Sequence, residues 1–147
     1  MRCVSLCLLL ALSWPVTGYA DALDLIVGSW GVEAPSEGAS ERKIEIHARR
    51  SCGASALTVT IDRSSMRYRS QDIGDGYVEV ADILDHSAKH LTIRYDDETR
   101  VMANGQPHVW HAFFVDDDTF VWVLGETLKD RDGIVPQPRV RCRTLAS

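Results

Sequence analysis

Histidines, acidic turns and two downstream cysteines are the side chains of this chain whose types and spacing could do chemistry. His108-Val109-Trp110-His111 has a spacing that brings two imidazoles to one metal on a helix. The surrounding residues read as a strand, however, and on a strand residues three apart face opposite sides. With His47, His86 and His90 scattered along the chain, neither a metal nor a cofactor is expected. Asp116-Asp117-Asp118 and the pair Asp72 and Asp75 carry calcium-type oxygens but lack the D-x-[DN]-x-[DN]-G spacing with a distal glutamate, so they read as polar turns. Asp85-His86-Ser87 contains the residue types of a catalytic triad, but a triad is assembled by the fold and not by adjacency in sequence. No nucleophile elbow, phosphate-binding loop or dinucleotide fingerprint occurs, and the chain is expected not to be an enzyme.

The elements that would position these residues begin after the N-terminus. Arg2, the apolar run Cys3–Leu12 and the small residues Gly18 and Ala20 follow the order of a secretory signal, expected to be cleaved after Ala20, with Ala22 the near alternative. The apolar run is too short to span a bilayer. Residues 1–20 are therefore read as a signal peptide, and 21–147 as one exported domain, periplasmic or secreted and soluble once cleaved. Cys3 and Cys7 leave with the signal. Cys52 and Cys142 remain, and an even pair in an oxidising compartment predicts a disulfide.

From Lys43 onward the hydrophobic period is two. Ile44, Ile46 and Ala48 alternate with polar residues, as do Leu57, Val59 and Ile61, then Met66 and Tyr68, then Tyr77–Ile83, then Leu91, Ile93 and Tyr95. Turn chemistry separates them: Asp62-Arg63-Ser64-Ser65, Asp72–Gly76, and Asn104-Gly105, the last suited to a type I′ hairpin between Arg100–Ala103 and a strand from Pro107. Pro107–Val115 and Thr119–Gly125 are apolar on both faces, so their outer side should be covered by residues 21–28, by the loop 128–138 or by a partner. Arg139–Thr144 is the last strand, and Asp21–Val27 is a short lead-in, helical or extended.

Composition agrees with a globular domain: 45% hydrophobic and 25% charged, with 16 basic against 21 acidic residues. An acidic chain with isolated lysines and arginines does not suit sequence-independent nucleic-acid binding, which needs clustered cations. The expected fold class is all-β, a small antiparallel β-barrel of about eight to ten strands, because closure removes exposed edges. A β-sandwich is the alternative.

Gly28-Ser29-Trp30 places a G-x-W on the first strand of that barrel, and Arg139-Val140-Arg141-Cys142-Arg143 closes it with a basic strand. This resembles the lipocalin-like, or calycin, barrels, and in outline the bacterial periplasmic inhibitors of metalloproteases. The T-D-Y tripeptide typical of lipocalins is absent. The resemblance implies that Trp30 lies at the barrel's closed end, that an arginine of the last strand, Arg141 by first choice, packs across it, and that Gly28 is structural. A binding function follows as the expectation, for an apolar small molecule or a protein partner, with Tyr68, Tyr95, Trp110, Phe114 and Trp122 as the candidate surface. A protease inhibitor that uses Asp21–Ile26, or a structural envelope-associated protein with a filled core, is the alternative.

Overall fold

A computed structural model of the chain describes residues 20–32, 49–53, 55–125 and 137–143. The described residues form a helical turn and a closed barrel of eight antiparallel strands. In chain order these are α1 (Ala22–Leu25), β1 (Gly28–Val32), β2 (Leu57–Asp62), β3 (Arg67–Asp72), β4 (Val78–His86), β5 (His90–Tyr95), β6 (Trp110–Asp116), β7 (Thr119–Leu124) and β8 (Gln137–Arg141). Each strand pairs with the next, and β8 returns to β1. Closure rules out the sandwich, because a sandwich needs two sheets with free edges. Among the described residues no helix is long and apolar enough to cross a membrane.

The period-two pattern explains which side chains turn inward. Val59 on β2, Tyr68 on β3, Ala81 and Ile83 on β4, Leu91 and Ile93 on β5, Ala112 and Phe114 on β6, and Phe120 and Trp122 on β7 are all buried in one core. Their rings stack edge to face along the axis: Trp30 on Phe120 at 4.6 Å, Phe120 on Trp122 at 5.5 Å, and Trp122 on Tyr68 and Trp110 at 6.2 and 6.3 Å. Such pairs add about 0.5–1.5 kcal/mol each beyond the area they bury.

One end of the barrel is plugged. Asp21 caps α1 by accepting from the Leu23 N–H, and Ala22, Leu23, Leu25 and Ile26 are buried against the core. The plug is tied to the turns that end there: the Ala22 N–H donates to the Ser87 carbonyl, and Arg63 pairs with Asp24. Trp30 donates from Nε1 to the Ile26 carbonyl at 2.8 Å and has no exposed surface. The Arg141 guanidinium lies 4.3 Å over the Trp30 ring. Residues 21–28 thus close the end of the barrel and do not cover the outer face of β6 and β7.

The turns follow their side chains. Asp62 accepts from the backbone N–H and hydroxyl groups of Ser64 and Ser65, and the chain re-enters β3 through Met66 at φ 51°, so Met66 belongs to the turn and not to the strand. The Asp72–Gly76 turn forms with the Gly76 N–H donating to the Asp72 carbonyl. The hairpin expected at Asn104-Gly105 shrinks to one bridge, Val101 to Pro107, and β6 starts at Trp110. Two causes are visible. Pro107 has no N–H to give a ladder, and the Glu98 carboxylate takes the Arg100 backbone N–H and guanidinium instead. Gly105 alone has a positive φ, 80°, and Asn104 does not, so the turn is not type I′.

Cys52 and Cys142 are bonded, 90 residues apart in sequence. The bridge fixes the segment before β2 to the end of β8. Residues 1–19 of the expected signal segment, the loop at 128–136 and most of the strand expected at 43–49 lie outside the described residues; Arg49 itself lies in a helical turn.

Closing a loop of this length stabilises a fold by about 4–5 kcal/mol on chain entropy alone. Replacing both cysteines with alanine should lower unfolding stability by about 2–5 kcal/mol in a urea titration, and an unchanged midpoint would show that the bridge constrains nothing. Gly28 sits at φ 135°, where a Cβ would lie 2.8 Å from Arg141 Nη1. Gly28→Ala should cost about 1–3 kcal/mol in the same measurement, from backbone strain and displaced guanidinium.

Candidate functional site

The aromatic column fills the barrel from the plug upward and stops short of the other end. There a cavity of about 260 Å³ remains, lined by Leu57 (β2), Asp72 (β3), Glu79 (β4), Tyr95 (β5), Trp110 (β6), Trp122 (β7) and Arg139 (β8), with Tyr77 and Asp75 from the β3–β4 turn at its edge. Strands β2 to β8 supply one inward position each, which is why residues so far apart in sequence meet.

Its walls are held from outside. Trp110 donates from Nε1 to Glu98 Oε2 at 3.1 Å, and the Arg100 guanidinium, paired with the same carboxylate, lies 5.3 Å over the indole. Arg100 holds the Glu98 carboxyl down at about 2, so this clamp stays charged across the physiological range. Tyr95 meets Trp110 at 6.1 Å and Tyr68 at 6.2 Å, both edge to face.

Charge at the cavity is unusual for a barrel interior. Arg139 is 8% exposed; burial lowers its pKa, and the fields of Tyr68, Tyr95 and Glu79 oppose that shift. Burial also raises the Glu79 carboxyl, with Asp97 adding to the shift, while a hydrogen bond from Ser70 and the positive charge of Arg139 pull the other way. Below them Tyr68 is fully buried and its phenol is pushed up to about 12 by desolvation. Its hydroxyl, close to Ser70 and Tyr95, makes no hydrogen bond of ordinary geometry. The site can therefore offer flat aromatic walls, a guanidinium donor, a carboxyl that burial holds above its ordinary pKa, and two phenols.

Of the five candidate surface residues, Tyr95, Trp110 and Trp122 come together at this cavity. Tyr68 lies beneath it, and Phe114 packs at the plugged end 6.3 Å from Trp30. Glu79, Arg139, Asp72 and Tyr77 were not among those five. The available signal was their phase: Glu79 is in step with Ala81 and Ile83. Gly28, Trp30 and Arg141 sit together at the closed end. Among the three last-strand arginines Arg141 covers Trp30, while Arg143 pairs with Asp118.

A second polar cluster lies on the outer face. His111 pairs with His90 of the neighbouring strand, Nδ1 to Nε2 at 3.1 Å, and the Thr92 hydroxyl is 3.1 and 3.3 Å from the same two nitrogens. His111 Nε2 donates to the Gly125 carbonyl at 2.9 Å. Burial, with His111 beside it, lowers the His90 pKa. His108 lies before β6, in a different setting from His111. In the Asp85-His86-Ser87 run, His86 takes Asp21, the cap of α1, as its carboxylate partner.

The direction of the Glu79 shift predicts a pH effect. An acid whose pKa is higher folded than unfolded stabilises the fold fully below the unfolded value, and that contribution is lost as pH rises through the folded value. Measured by urea midpoints from about pH 3 to about pH 7, wild type should lose stability relative to Glu79→Gln as pH rises. A difference that is flat, or that moves in favour of wild type, would contradict the assignment.

No protein-family model, curated protein or solved structure matches this chain.

Proposed function

We propose that this protein is an exported, non-catalytic binding barrel of lipocalin-like form, which carries a small amphipathic molecule in the cavity at the end opposite the plug. One observation carries the reading: the interior is packed with rings up to a cavity where Trp110, Trp122 and Tyr95 face Arg139 and Glu79. Ligand pockets pair apolar walls with a few placed polar groups, and this one lies just below their usual range of about 300–1,000 Å³. A flat apolar body would lie against the indoles, and a polar head would meet the guanidinium or carboxyl. The cavity is too small for a long lipid chain.

The inhibitor alternative has less support. Ala22, Leu23, Leu25 and Ile26, which would form the arm reaching into a protease, are buried in the barrel's plug.

The test is native mass spectrometry of protein purified from an exporting host, followed by calorimetric titration with phenethylamine and phenylacetate, an aromatic amine and an aromatic carboxylate. A non-covalent mass lost on denaturation, or 1:1 binding of either probe, is expected, weakened about tenfold by Trp110→Ala, the equivalent of about 1.4 kcal/mol. A bare mass together with no binding of either probe would refute the carrier reading.

A further inference from the structure

We infer that His90 and His111 form a binding site for a divalent late transition-metal ion, of the Cu²⁺ or Zn²⁺ class, on the outer wall of the barrel. The site is separate from the mouth cavity. His90 opens β5 just after the β4–β5 turn at the plugged end, and His111 lies on β6 with its side chain pointing away from the core, on the face opposite Trp110 and Ala112.

In the free chain His90 Nε2 donates to His111 Nδ1, and an ion would take the place of that proton, with His90 passing to the tautomer protonated on Nδ1. Metal–imidazole bonds of about 2.0–2.1 Å hold two nitrogens about 2.9 Å apart at a right angle and about 3.4 Å apart at the tetrahedral angle. His90 Nε2 and His111 Nδ1 are 3.1 Å apart, inside that interval, and their rings, 17° from parallel with centroids 5.3 Å apart, aim the two nitrogens at one another, so both rings tilt to converge on an ion. The tautomer of His111 is already set. Its Nε2 faces a carbonyl oxygen, which can only accept, so the proton sits on Nε2 and the lone pair is on Nδ1, toward His90. A ligating histidine almost always has its second nitrogen held in this way, by a carbonyl, carboxylate or water. Thr92, 8% exposed and within 3.3 Å of both nitrogens, places a hydroxyl beside the ion.

The ring of Phe113 stacks on His90 at 4.6 Å and limits its rotation. The backbone fixes the rest: Thr92 is in register with His111, and His90 with Phe113, so the two histidines stand diagonally on adjacent paired strands. Among the described residues no third histidine, cysteine or carboxylate closes on the pair, so water completes the coordination. Two neutral imidazoles with open positions favour copper over zinc, and exclude calcium and magnesium, which take oxygen ligands.

The test uses the untagged full-length chain, titrated calorimetrically with Cu²⁺ and with Zn²⁺, and ¹⁵N NMR of its histidines with Zn²⁺. One saturable equivalent is expected, with shifts at His90 Nε2 and His111 Nδ1 while the His111 Nε2 proton is retained. Since losing even an outer-shell partner weakens metal sites about 10- to 100-fold, His90→Gln and His111→Gln should each weaken binding at least about tenfold, and His108→Gln should not. Binding that survives both substitutions, shifts confined to His47, His86 or His108, or the absence of saturable binding would overturn the assignment. Should a variant fail to fold, as judged by circular dichroism, the nitrogen shifts of the unaltered chain decide alone.

Discussion

A closed sheet has no edges, but it has two ends, and at one of them Arg141 joins every part that must meet. Its guanidinium covers Trp30 and donates to the carbonyls of Leu25, Val27 and Asp117 at 2.5, 3.0 and 3.0–3.1 Å, and it pairs with Asp118 at 3.3 Å. Those groups belong to the plug, the entry to β1 and the β6–β7 turn. Lysine cannot substitute, because a point charge with three donors neither covers an indole nor reaches three carbonyls in a plane. The constraint propagates outward: Gly28 must lack a Cβ, Trp30 must stand opposite Arg141 in the β1–β8 register, and α1 must end where its last carbonyls face the guanidinium. By contrast the pairs of Arg67 with Asp82 and Asp96, half-exposed and exposed, are reached by water and contribute less.

From that floor the rings determine how much of the barrel is hollow. Trp30, Phe114 and Phe120 occupy the bottom, and Trp122 and Tyr68 the middle, with small Ala81 and Ala112 making room between them. Alternating large and small inward residues fills a narrow barrel without voids. Space returns where the column ends at Tyr95 and Trp110. Filled core and pocket are therefore successive levels of one interior.

Much of this was legible in the sequence, and the failures have physical causes. Alternation located the strands from Leu57 onward, and aspartates that accept from N–H groups two residues ahead located the turns at Asp62 and Asp72. Cys52 and Cys142 could be paired by elimination. Alternation does not, however, say which face is inside when both faces carry suitable residues. On the last strand Val140, the natural inward choice, is buried on the outer side, while Arg139 enters the barrel. The Arg100–Ala103 strand failed because a side-chain carboxylate outcompeted a ladder that proline had already weakened. The pairing of His90 with His111 depends on the register of two strands separated by a long connection, which no local pattern encodes.

Arg139 and Glu79 also show why the mouth differs chemically from the floor. Removing a guanidinium from water costs several kcal/mol unless its partners are well placed. At the floor Arg141 recovers that cost through carbonyls and an indole face. At the mouth Arg139 donates to the Pro138 carbonyl at 3.4 Å and lies in the fields of Glu79, Tyr68 and Tyr95, while burial disfavours the Glu79 anion. A level where local stability rules are relaxed is the place to look for something other than stability. In this barrel that place is the level at which the packed column gives way to open space.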